Sequence, residues 1–230
     1  MPITTQTVTI PNGTPNLSGY LALPEGEGRF PGVVVIHEAF GLNDNIKDIT
    51  RRFAEAGYAA LAVDLFAGRN RMVCMFRFFS NMLLFDSLNH AGIRDLKVSL
   101  DWLENHSKVD STKIGAVGFC MGGSFAIAWA CTDSRLNVIA PFYSFNPRPI
   151  EAVARSCPVV ASFPENDFTK NMGIKLEAEL TKHDIPHDVK IYPDTKHSFF
   201  NSPRDVKEQA AADDSWSRIM TYFREHIGGS

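Results

Sequence analysis

Short runs of apolar, β-branched residues alternate along this chain with longer stretches in which apolar residues recur every three or four positions. Parallel strands need a crossover long enough to be a helix, so this alternation restricts the fold class to α/β, a mostly parallel sheet with helices on both faces. Val33, Val34, Val35 and Ile36 make a continuous apolar run of the kind buried on both sides, and it leads directly into the polar pair His37 and Glu38. Sheets of this type place their sites at the carboxyl ends of their strands.

The opening differs: Thr5–Ile10 and Leu17–Leu23 flank the turn-rich PNGTPN and read as an antiparallel pair. Ile46, Ile49 and Phe53 mark a helix over Asn45–Glu55 that stops at Gly57, and Tyr58–Val63 returns as a strand. Helices are predicted over Met72–Phe85, around Ile93, Leu96, Leu100 and Leu103, over Gly122–Cys131 and over Thr169–His183. A last helix spans Val206–His226, with Trp216, Ile219, Met220 and Phe223 on one side. Strands are predicted over Lys113–Val117, Asn137–Tyr143, Cys157–Phe163 and His187–Tyr192. With 230 residues and no linker, the expectation is a single domain over 1–230.

A formal charge of -3 supplies no field for a polyanion, which leaves a small molecule as the expected partner, with no nucleic acid and no membrane. No apolar run reaches the roughly 18 residues needed to cross a bilayer, and the opening residues lack a signal-peptide pattern, so the expected location is cytoplasmic. Cys74, Cys120, Cys131 and Cys157 are scattered without a C-x-x-C pair, which suggests neither a zinc site nor a disulfide framework. A metal site built from His37, Glu38 and His197 is conceivable by ligand type, but it lacks the spacing of a zinc signature, and neither metal nor cofactor is expected.

The most specific feature is Gly118-Phe119-Cys120-Met121-Gly122-Gly123, between an apolar strand and a helix rich in small residues. It has the form of a nucleophile elbow with cysteine at its centre. Glycine is needed there because the central residue sits in a strained turn where strand and helix backbones approach closely. A thiol at a helix N-terminus is also favoured as thiolate by the unpaired N–H groups. An ordinary glycine-rich turn around a buried cysteine is the competing reading, and the glycine spacing argues against it.

An activated thiol needs an imidazole, and the imidazole needs an acceptor for its second nitrogen. His197 lies in a polar loop after the last strand, and Asp167 follows Cys157–Phe163, so both belong at the elbow's edge of the sheet. His183, His187 and His226 read as surface residues, and Asp167 is also placed to cap the helix beginning near Thr169.

With these positions, the segment His37-Glu38-Ala39-Phe40-Gly41-Leu42, the run Asp64-Leu65-Phe66 and the sequence His197-Ser198-Phe199, the chain resembles the dienelactone hydrolase family of α/β-hydrolases over nearly its whole length. The resemblance implies a triad of Cys120, His197 and Asp167. It further implies that Glu38 pairs with the resting thiol and takes its proton, a role that burial would favour by raising the carboxyl pKa. The backbone N–H groups of Met121 and Ala39 would form the oxyanion hole.

A thiolate leaves more readily than an alkoxide, so Cys120 suits enol lactones and aryl esters better than amides. In the family, two arginines hold a substrate carboxylate. Here Arg69 stands near the first position, Asn201 occupies the second, and Arg204 is the next arginine. Asn cannot supply arginine's charged fork. The apolar stretch 72–85 offers Met75, Phe76, Phe79 and Met82 as a pocket wall or, by its spacing, as core packing. Substrate-binding candidates are therefore Arg69, Phe40, Phe76, Phe79 and Asn201, and a less polar acyl group is expected. Competing functions are a thiol redox sensor and a non-catalytic binding module that keeps only the fold. A monomer or small homo-oligomer is expected.

Overall fold

The computed structural model describes residues 1–84 and 87–229, with backbone alone for 81–84. Eight strands form one sheet in the order β1-β2-β4-β3-β5-β6-β7-β8. β1 (Ile3–Thr9) pairs antiparallel with β2 (Ser18–Pro24), which pairs antiparallel with β4 (Ala59–Val63). From β4 onward the sheet is parallel, through β3 (Phe30–Ile36), β5 (Val109–Phe119), β6 (Val138–Phe142), β7 (Val159–Pro164) and β8 (His187–Tyr192).

The pleat sends successive side chains to opposite faces, which is why Val33–Ile36 is apolar without interruption. Val34 and Ile36 join a core cluster with Ile93, Leu96, Leu100 and Leu103 of α3 (Ala91–Glu104), with α4 (Met121–Ala130) and with Leu176 and Leu180 of α5 (Lys170–Lys182). Val33 and Val35 join the other cluster, with Ile46, Ile49 and Phe53 of α1 (Asp44–Glu55) and Ile219 and Phe223 of α6 (Val206–Ile227). Helices thus cover both faces. Asn43 caps α1 by accepting the Ile46 N–H at 3.0 Å, and Asp205 caps α6 by accepting the N–H groups of Lys207 and Glu208, each at 2.9 Å. Gly57, with φ +90°, follows α1.

β5 begins four residues earlier than the apolar pattern Lys113–Val117 indicates, and it continues to Phe119. Its polar start pairs with Phe30 and Pro31 before the register shifts at Gly32, and backbone pairing at a sheet end needs no apolar side chain. α2 (Arg71–Leu84) matches the helix predicted after Asp64. Phe85 and the side chain of Met82, both included in that prediction, lie outside the described residues. Among the described residues, no helix is long and apolar enough to cross a membrane.

Candidate active site

Strand-to-helix connections at the carboxyl ends of β3, β5, β7 and β8 bring the candidate residues together. Cys120 joins β5 to α4 with φ 53° and ψ −111°, a strained conformation for a residue with a side chain. Its N–H donates to the Phe142 carbonyl at 3.0 Å, and its carbonyl accepts the Ser124 N–H at 3.1 Å. A Cβ on Gly118 would overlap the Gly122 carbonyl, one on Gly122 would overlap the Ile36 carbonyl, and one on Gly123 would come within 2.8 Å of the Phe142 oxygen. The three glycines are therefore required by backbone contact, and the half-buried thiol is left at the helix N-terminus.

Asp167 follows β7, and its carboxylate does two things at once. Oδ1 accepts the N–H of Thr169 at 2.8 Å and its hydroxyl, as a turn cap does, while Oδ2 lies 3.0 Å from Nδ1 of His197. Asp167 therefore does not cap α5, whose N-cap is Thr169 without a side-chain cap bond; one oxygen closes a turn ahead of the helix and the other faces His197. Burial opposes ionisation of Asp167, but the bonds from His197 and Thr169 outweigh it and hold the carboxyl below its ordinary range. For His197, burial lowers the pKa, while the hydrogen bonds to Asp167 and to the Cys120 thiol overcome this and push it up to about 10. Asp167 and His197 are hydrogen-bonded, and the Cys120 thiol lies close enough to His197 to raise its pKa. Such an arrangement can move a proton between sulfur and imidazole while the carboxylate fixes the ring.

The loop carrying His197 is held from behind by Glu208, a fully enclosed carboxylate that accepts the N–H groups of Lys196 (3.0 Å) and Arg204 (2.8 Å). Arg204 places Nη1 3.0 Å from both Glu208 oxygens and donates from Nη2 to the His197 carbonyl at 2.8 Å. It fastens the loop and has few donors left for a ligand.

Glu38 is buried at the end of β3 and accepts the Ser198 hydroxyl at 3.3 Å. Ala39 follows it, and Met121 opens α4. Neither backbone N–H donates to another protein atom among the described residues, as expected for a first helical turn and an open loop.

The substrate-binding candidates scatter. Arg69 donates from Nε to the Phe66 carbonyl at 3.0 Å and from Nη2 to the Leu65 carbonyl at 2.7 Å, with Asp95 3.8 Å away. Phe40 is exposed, with the Arg71 guanidinium 5.8 Å from its ring centre. Phe76 and Phe79 are exposed on α2, and among its described side chains Phe78 is the buried one. A pocket beside Met121 is walled on this side by Cys74, Arg77 and Phe78 together with Arg69, Phe66 and His90. Of the residues named for this stretch, Met75 packs against the core cluster that holds Phe78, whose ring lies 5.2 Å from Phe125 of α4, whereas Phe76 and Phe79 do not turn inward. Asn201 is buried, and neither atom of its amide has a hydrogen-bond partner among the described residues.

Three aromatic or polar neighbours have no role in the reading above, and of these Phe168 and Tyr143 carry no motif. Phe168 is 62% exposed yet stacks on His197, with ring centres 5.6 Å apart and planes 15° from parallel. Tyr143 is buried with φ 35° and lies 4.8 Å from the His197 ring. Its phenol is pushed well above its ordinary pKa by burial and by the nearby Glu38 and Cys120 charges. His37 is enclosed completely. The position of Phe168 directly after Asp167 was the available signal for its place; nothing local marks Tyr143.

Residues 17–227 match the model of the dienelactone hydrolase family, and the chain belongs to it. It is a hydrolase of that kind on an α/β-hydrolase fold. A Saccharolobus solfataricus protein named as a carboxymethylenebutenolidase is 30% identical over 90% of this chain and 93% of its own length. The Aquifex pyrophilus protein usf is 30% identical over 91% and 93%. Among solved structures, a dienelactone hydrolase-like promiscuous phosphotriesterase from metagenomic libraries superposes with a TM-score of 0.84 at 26% identity, covering 98% of this chain and 99% of that one.

Proposed function

We propose that this chain hydrolyses activated carboxylic esters, namely enol lactones and aryl esters, through a thioester formed on Cys120. The observation that supports the reading is the 3.0 Å contact of Asp167 with His197, whose pKa is raised by Asp167 and by the neighbouring Cys120. Sulfur attacks the acyl carbon, the carbonyl electron pair moves to oxygen, and the N–H groups of Met121 and Ala39 receive that charge. The pair returns, the C–O bond breaks, and the enolate or phenolate leaves with a proton from His197. Water then adds to the thioester as His197 takes its proton, and Cys120 departs as thiolate with release of the acid. Glu38, beside the elbow, takes the thiol proton when substrate first enters and returns it to the Cys120 thiolate when the acid has left.

A redox-sensing role is less well supported. Burial pushes the thiols of Cys131 and Cys157 up to about 12, so neither is a ready resolving nucleophile, which leaves the half-buried Cys74 in the pocket beside Met121 as the candidate such a role would need. For the acyl group, Asn201 favours an uncharged substituent, whereas Arg77 joins Arg69 at the pocket beside Met121 and favours an anionic one.

The test is turnover of aryl esters and lactones with and without a carboxylate, by wild type, Cys120→Ala, Arg69→Ala and Arg77→Ala. Cys120→Ala is expected to lose turnover by at least a thousandfold, on the order of what a lost nucleophile costs. Ordinary turnover by that variant overturns the mechanism. Selectivity for anionic substrates, lost with either arginine, would assign them to the acyl group; equal rates across the panel would assign the uncharged substituent.

A further inference from the structure

His37 takes no part in the set of Cys120, His197 and Asp167, yet it is a fully buried imidazole at the end of β3. Its Nε2 accepts the Leu65 N–H at 3.1 Å, so the ring proton resides on Nδ1, which donates to the Glu38 carbonyl at 2.7 Å. The Gly41 N–H donates to the same oxygen at 3.1 Å. Burial holds the ring below its ordinary pKa, which keeps this one tautomer in place.

The C=O of one residue and the N–H of the next point in opposite directions across a planar trans peptide. Holding the Glu38 oxygen against His37 therefore sends the Ala39 N–H the other way, and that N–H has no protein acceptor among the described residues. The elbow lies against the same stretch of backbone: a Cβ on Gly122 would come within 2.7 Å of the His37 carbonyl oxygen. The unpaired donors of Ala39 and Met121 thus stand on two segments, the end of β3 and the elbow, that pack backbone to backbone.

We propose that His37 is a positioning residue for oxyanion stabilisation, acting through the Glu38–Ala39 peptide to aim the Ala39 N–H at the oxygen of the intermediate on Cys120. The proposal rests on the reading of Cys120 as nucleophile. A purely structural role would consist of tying the ends of β3 and β4 together through Leu65.

Two conservative variants separate these roles. His37→Asn carries an amide where Nδ1 lies and keeps the donor to Glu38; His37→Gln carries one where Nε2 lies and keeps the contact to Leu65. Their thermal unfolding, kcat and KM on an aryl ester, and rate of Cys120 alkylation by iodoacetamide are measured. Alkylation occurs at saturated carbon and develops no oxyanion. His37→Gln is expected to lose kcat on the order of a hundredfold, as for one lost oxyanion donor, with KM and alkylation little changed. His37→Asn is expected to stay within about fivefold of wild type in kcat, since the peptide remains aimed. If His37→Gln does not fold, Ala39→Pro deletes the N–H itself and is expected to show the same split.

Wild-type kcat in folded His37→Gln, an equal loss in His37→Asn, or alkylation falling in step with kcat would overturn the proposal. Failure of the underlying mechanism shows separately, as turnover surviving Cys120→Ala.

Discussion

Gly122 lies so close to Ile36 that a single added methyl group would occupy the space of the Ile36 carbonyl oxygen. This contact joins the end of β3 to the start of α4, and it sets how far the elbow stands from Glu38 and Ala39. Backbone on both sides leaves nothing flexible to give way. Gly122→Ala is expected to destabilise the fold by about 1–3 kcal/mol or more, the range of an overpacked core site, and to lower ester turnover in the protein that remains folded. Denaturant unfolding with parallel activity measurements checks this; unchanged stability would mean that the two strand ends move apart freely.

Asp167 is expected to govern both the orientation and the charge of His197. Asp167→Asn replaces the acceptor facing Nδ1, and ester turnover should fall by about a hundredfold or more, because general-base geometry and the imidazolium's partner are lost together. The folded pKa of His197, about 10, lies above the unfolded 6.5. Its stabilising contribution is therefore fully present below pH 6.5 and lost as pH rises towards 10. Titration of the His197 ring by NMR should show a lower pKa in Asp167→Asn, and the variant's stability should fall less steeply over that window. A ring that titrates as in wild type would contradict this.

Glu208 is expected to matter although it touches no catalytic candidate. Its buried carboxylate accepts from Lys196, from the Arg204 backbone and from the Arg204 guanidinium, and these bonds fasten the segment containing His197. Glu208→Ala leaves the N–H groups of Lys196 and Arg204 unpaired and should cost about 1–3 kcal/mol, as an orphaned donor does, while the half-exposed Arg204 guanidinium can turn to solvent. Turnover should fall more than thiol alkylation, since the displaced element is the imidazole. Thermal unfolding and iodoacetamide kinetics read the two effects, and a variant as stable as wild type would show that α6 alone holds the loop.

Local sequence carries the architecture and the elbow because both depend on patterns short enough to read along the chain. Val33–Ile36 is apolar at every position since both faces of the sheet are covered, and Gly118, Gly122 and Gly123 are spaced by the backbone contacts of one turn. The order of Cys120, Asp167 and His197 is likewise linear information, although bringing their segments to one edge requires β5, β7 and β8 to lie in one parallel sheet.

What the chain order leaves open is decided by packing between distant segments. Which face of α2 turns inward depends on Phe125, far along the chain, and that contact selects Phe78 rather than Phe76. Arg204 reads as a free cation until Glu208 and the His197 carbonyl surround it. His37 reads as half of a polar pair, and only the approach of Leu65 from the neighbouring strand end determines which nitrogen holds the proton. Hydrogen bonds and ring contacts are short-range, so the partner that gives a side chain its role is set by the folded neighbourhood, while the periodicities that build the neighbourhood are written locally.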